Sequence, residues 1–95
     1  MEKILTKHPD GKKGVNIDKA KYDAIKKAII ECLENEELSY TLLTKSVKDK
    51  LGDSFQGSVG WYVESVKLDL EAKEVIERIK TTKPELYRLK IDNIR

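Results

Sequence analysis

His8 and Cys32 are the only histidine and the only cysteine in the chain. A zinc centre takes three or four such ligands at short spacings, so this pair predicts no metal site. Cys32 falls on the apolar stripe of a predicted helix and reads as a small buried hydrophobe rather than a reactive thiol. His8, just before Pro9, reads as a loop residue making a local hydrogen bond. The run Gly11-Lys-Lys-Gly14 has the composition of a phosphate loop without its grammar. Such a loop needs a preceding strand, longer spacing between its glycines and a Lys-Ser/Thr pair opening a helix, whereas the first helix here is expected about four residues after Gly14. What it leaves is a weak backbone nest for an anion. Carboxylates are plentiful, but none sits in an apolar setting beside a base or a nucleophile. The sequence therefore predicts no catalytic centre and no cofactor.

The remaining chemistry is charge. The net charge is +2, but its distribution is uneven. Residues 1–27 hold eight lysines against four acids, net +4; residues 28–72 hold four against nine, net −5; residues 73–95 hold seven Lys or Arg against four, net +3. An anionic partner is expected to meet the two ends. At the C-terminal end Arg78, Lys80, Lys83, Arg88 and Lys90 concentrate on one predicted hairpin, and at the N-terminal end Lys12 and Lys13 sit in a turn. A basic hairpin of this kind tracks phosphates. Lysines also protect edge strands from aggregation, and the sequence gives both explanations equal weight.

These side chains must be positioned by the elements around them. Residues 1–17 read as an ordered arm, with Ile4, Leu5, Val15 and Ile17 as apolar anchors around a Pro9-Asp-Gly11 turn. Asp18 caps a first helix predicted from Lys19 to Asn35, whose stripe is Tyr22, Ile25, Ile29, Cys32 and Leu33. Ile17 is placed to pack on Tyr22 as a staple. Leu38-Ser-Tyr40 is a candidate short strand. Thr41 is the expected cap of a second helix, with Leu43, Val47 and Leu51 as its stripe and Gly52 as its stop. A third helix runs from Ser58 to Ala72 with Val59, Tyr62, Val63, Val66 and Leu70 inward. Its spacing changes near Glu74 into a strand, and a second strand spans Leu86 to Ile91, with Tyr87, Leu89 and Ile91 on one face. Pro84 stays out of the pairing. The reading is one domain: arm 1–17, three-helix core 18–73, wing hairpin 74–91 and frayed tail 92–95. Helices followed by a terminal hairpin give an α+β fold, in the order of a winged helix–turn–helix domain.

The third helix has a second apolar set, Trp61, Ser65, Leu68 and Ala72, on its other side. Such a helix needs two coverings, or one covering and a partner. Either the arm or the hairpin covers Trp61 and Leu68, or they form a protein interface.

Several blocks also resemble a group of small, uncharacterised bacterial proteins assigned to the winged-helix superfamily. They are His8-Pro-Asp-Gly-Lys-Lys-Gly-Val-Asn-Ile17, Lys21-Tyr22, Phe55-Gln-Gly-Ser-Val-Gly-Trp-Tyr-Val-Glu64, Val66-Lys-Leu-Asp-Leu-Glu-Ala-Lys73, Ile76-Glu-Arg78 and Tyr87-Arg-Leu89. The resemblance implies that fold and a bacterial origin, and assigns no activity and no functional residue.

Two functions compete. The first is DNA binding, with double-stranded DNA held mainly by the basic wing. The second is a non-catalytic interaction module that uses Trp61 and Leu68 to contact a second copy or another protein. The third helix favours the second: it holds Lys67 against Glu64, Asp69 and Glu71 and offers no Arg, Asn or Gln to read a base edge. Superfamily precedent favours DNA, which is the expectation taken forward. No run of about 18 apolar residues is present, so no membrane partner is expected. The unpaired cysteine and the lack of a signal-peptide pattern point to the cytoplasm.

Overall fold

Ile4 and Ile17, the apolar anchors of the arm, face each other across a small antiparallel hairpin. β1 (Lys3–Leu5) pairs with β2 (Asn16–Asp18). A computed structural model of the chain describes residues 2–90. The expectations for Ile91 and for the tail 92–95 lie outside the described residues.

Thr6 closes the hairpin from inside. Its N–H donates to the Val15 carbonyl at 2.9 Å, and its Oγ1 accepts from the Val15 N–H at 3.0 Å. Gly14 is required there, because a Cβ would lie 1.7 Å from the Thr6 carbonyl oxygen. Any side chain at position 14 breaks the arm's closure.

Asp18 accepts from the Lys21 N–H and starts α1 (Lys19–Leu33), as predicted, with Ile17 and Tyr22 both buried beside the cap. The helix stops two residues short of Asn35. The stretch Glu34-Asn-Glu-Glu37 is fully exposed and gains nothing from continuing as helix. β3 (Leu38–Ser39) follows. Ser39, not Thr41, caps α2 (Tyr40–Leu51), accepting from the Leu42 N–H at 3.3 Å. Helix entry comes early because Tyr40 anchors it, donating its hydroxyl to the Gly60 carbonyl at 3.1 Å. Gly52 ends α2 with φ +63°.

Ser58 caps α3 (Val59–Ala72) through the Trp61 N–H. Just before it, Gly57 holds φ +120°, and a Cβ there would meet the Tyr62 ring at 2.9 Å. Glu74 turns the chain at φ +60°, and β4 (Ile76–Ile79) begins two residues later, where the spacing changes. β4 pairs antiparallel with β5 (Leu86–Leu89), Ile76 opposite Leu89 and Ile79 opposite Leu86. Both strands are shorter than predicted by a residue or two at their described ends. β5 also pairs with β3, Leu38 opposite Tyr87, so the sheet order is β3-β5-β4. The fold is therefore α+β, three helices with two small antiparallel sheets.

The core joins the predicted stripes of all three helices to Ile17, Leu38, Ile76 and Tyr87. Ile25, Ile29, Leu43, Val47, Val63, Val66 and Leu70 are fully buried. Leu51 and Tyr62 only border it.

Candidate nucleic-acid interface

Two charged residues of α3 are as buried as the apolar core. Asp69 is 0% exposed and Lys67 is 2% exposed. Asp69 holds the arm down: it accepts from the Lys7 N–H at 2.8 Å and from the Tyr22 hydroxyl, and pairs with Lys73 at 2.9 Å. Lys7 is 62 residues away in sequence. Tyr22 responds with a pKa well above the ordinary value for tyrosine, first because it is buried and then because it donates to Asp69.

Lys67 points into a cage. Its ammonium lies 3.1 Å from the Tyr87 hydroxyl, 3.0 Å from a Glu64 oxygen and 4.6 Å from the centre of the Tyr87 ring. Burial works against its charge, but Glu64, Tyr87 and Glu71 outweigh it, so its pKa is raised. Glu71 accepts from Nε and Nη2 on one edge of the Arg78 guanidinium at 3.1 and 3.2 Å, a bidentate pair that fixes β4 to α3. Glu85 takes the other side of Arg78 at 3.3 Å.

This web changes the availability of the predicted wing cations. Arg78 is committed to Glu71 and Glu85. Arg88 pairs with Glu77 at 2.6 Å and with Glu37 at 3.5 Å, and Lys90 pairs with Glu74. Lys80 and Lys83 are exposed and enter no ion pair among the described residues. Lys12 and Lys13 are exposed and equally unpaired.

Folding brings the two basic ends together. The latch on Asp69 lays the loop 7–14 across the outer face of α3. Between that loop and β4 lies a polar cleft of about 270 Å³, lined by His8, Pro9, Asp10, Lys12, Leu68, Glu71, Arg78 and Lys80, in which Arg78 neutralises Glu71. A smaller cavity of about 60 Å³, with Lys13, Ser65 and Leu68 in its wall, lies on the same helix face. His8 is set by a local hydrogen bond, its Nδ1 accepting from the Asp10 N–H at 3.1 Å.

The second apolar set of α3 is divided by the same loop. Leu68 is half-buried in the cleft walls, whereas Trp61 stays 47% exposed. A continuous Trp61–Leu68 strip for a partner is not what this face presents. Trp61 stands edge-on to Tyr62, with ring centres 4.9 Å apart, and Tyr62 stands edge-on to Phe55 at 5.2 Å. Lys21 lies 5.4 Å over the Tyr62 ring.

Sequence reasoning missed Asp69 and Lys67 as interior groups. The signal was present: Asp69 follows Val66 by three residues, and Lys67 lies four after Val63 and three before Leu70, which puts both within the inward sector. Cys32 is buried, and burial pushes its thiol up, away from reactivity. Among the described residues no group of three or more His, Cys, Asp or Glu is placed to hold a metal, and no helix is long and apolar enough to cross a membrane.

The chain belongs to a family of unknown function, DUF6958, whose profile matches residues 3–87. No curated protein and no solved structure matches it.

Proposed function

We propose that this chain is a non-catalytic, cytoplasmic winged-helix domain that binds DNA by its phosphates. The element order α1-β3-α2-α3-β4-β5, with β5 central between β3 and β4, supports the winged-helix reading. The observation that carries the function is the meeting of Lys12 and Lys80, from opposite ends of the chain, at one cleft. Lys13 lines the smaller cavity on the same helix face, and Lys83 is exposed in the loop between β4 and β5. Cations with no carboxylate partner keep their attraction for phosphate, whereas Arg78, Arg88 and Lys90 are largely neutralised. The arm loop covers the C-terminal half of α3, so that helix does not enter a major groove in the usual way. Contact is with the backbone, and sequence preference is weak.

Fluorescence anisotropy with a labelled random duplex tests this at low and moderate salt. Replacing Lys12, Lys13, Lys80 and Lys83 by Gln weakens binding to every sequence, and each lost phosphate contact flattens the salt slope by about 0.9. Replacing Arg88 alone leaves both nearly unchanged. No binding by the parent protein at about 50 mM salt overturns the proposal.

A second reading rests on Trp61 and Leu42, which are exposed at 47% and 53%. As apolar side chains in water they suit a protein partner, and a dimer in sedimentation would favour it.

A further inference from the structure

Trp61 is the only exposed aromatic residue of the chain. It is braced rather than loose: Tyr62 supports it edge-on at 85°, and Phe55 supports Tyr62. A ring already held in place loses little freedom when another ring stacks on it. The ring is open to solvent on part of its surface, at 47% exposure. Lys21, over the neighbouring Tyr62 ring, enters no ion pair and sets a cation beside the platform.

The phosphate-binding rim lies close by on the same helix face. Ser65, one turn beyond Trp61, shares the wall of the small cavity with Lys13, and Leu68 shares the larger cleft with Lys12 and Lys80. Along the helix axis Ser65 lies about 6 Å and Leu68 about 10 Å from Trp61. Glu64, the acid on this turn, is offset by its pair with Lys67 at 3.0 Å.

We infer that Trp61 is a stacking platform for a base of unpaired DNA whose backbone the arm and wing lysines hold. This inference rests on the DNA reading above and names the form of DNA. In a duplex the base faces are hidden in the stack, and only the edges and backbone are reachable. α3 has no Arg, Asn or Gln for edges, but a π-face serves any base. The domain therefore prefers single-stranded or melted DNA, with little regard for sequence.

Trp61 is the only tryptophan, so its emission reports the contact directly. Titration with oligo(dT) of about 12 nucleotides quenches that emission, and the matching duplex binds more weakly without quenching. Trp61→Ala lowers oligo(dT) affinity about tenfold, equivalent to about 1.4 kcal/mol, and duplex affinity less than twofold. Trp61→Phe retains most of the binding, and circular dichroism shows all variants folded. Binding of both DNA forms with unchanged emission and no loss in Trp61→Ala overturns the inference and leaves the DNA reading standing. Binding of neither form removes both. An emission that shifts with protein concentration alone places Trp61 in a contact between copies and overturns the stacking role.

Discussion

The inner and outer charges around α3 are chemically alike and physically opposite. Lys67 and Lys12 are both lysines near the same helix, yet one is 2% exposed in an aromatic and carboxylate cage and the other stands in water without a partner. Asp69, Glu71 and Arg78 belong with the first, Lys13, Lys80 and Lys83 with the second. A buried ion that loses its partner is left uncompensated in a poorly screening interior, whereas an exposed one is simply hydrated. The inner set therefore sets stability and geometry, and the outer set is available to a ligand. Counting cations along a segment confuses the two: of five basic residues on and around the β4–β5 hairpin, only Lys80 and Lys83 enter no ion pair among the described residues.

The sharpest way to break this division is Asp69→Ala. It leaves the buried Tyr22 hydroxyl and the Lys7 N–H without their carboxylate acceptor, while Lys73, 38% exposed, turns to water, and it is expected to cost about 2–4 kcal/mol in urea denaturation. A loss no larger than that of a surface change would dissolve the distinction. Tyr22→Phe comes next, at about 1–2 kcal/mol at neutral pH through one lost hydrogen bond. It also has a pH signature. The folded pKa of Tyr22 lies above its ordinary value of 10.0, so its stabilisation is complete below that pH. As pH rises beyond it, only the unfolded chain ionises there and stability falls. Denaturation midpoints between about pH 8 and 11 decline less steeply in Tyr22→Phe than in the parent.

Lys67→Met has a smaller effect, within about 1 kcal/mol. Its stem is replaced by a similar apolar one, Glu71 keeps Arg78 and Glu64 faces water, so the Tyr87 hydroxyl is the buried group that loses a partner. A large loss would mean that the ammonium itself organises the cage. Smallest of all is the fourfold Lys12, Lys13, Lys80, Lys83→Gln variant, whose denaturation midpoint stays at the parental value while its DNA affinity falls. Lost stability there would place those lysines with the inner set.

The sequence disclosed what is local. The 3–4 residue stripes of α1 and α3, the Asp18 cap and the change of period near Glu74 each depend on neighbours a few residues away, and each is found in the structure. The site depends on contacts far apart in sequence. That Lys7 docks on Asp69, that the loop covers Leu68 but not Trp61, and that the wing arginines are already paired are facts of packing. Charge type and spacing do not encode them. Lys67 and Asp69 were hidden for another reason: their spacing places them inward, but a charged side chain is assigned to water unless its partners are known.

The position of β5 also orders events in time. It is the middle strand of its sheet, so β3 and β4 have no partner until residues 86–89 have been made. On the ribosome, Leu38 and Ser39 emerge nearly fifty residues before the Leu86 and Tyr87 that they pair with. A nascent chain that has released all three helices still lacks the strand that joins its sheet, and two strand edges wait open. Until synthesis passes that point, those edges are available to chaperones or to other nascent chains.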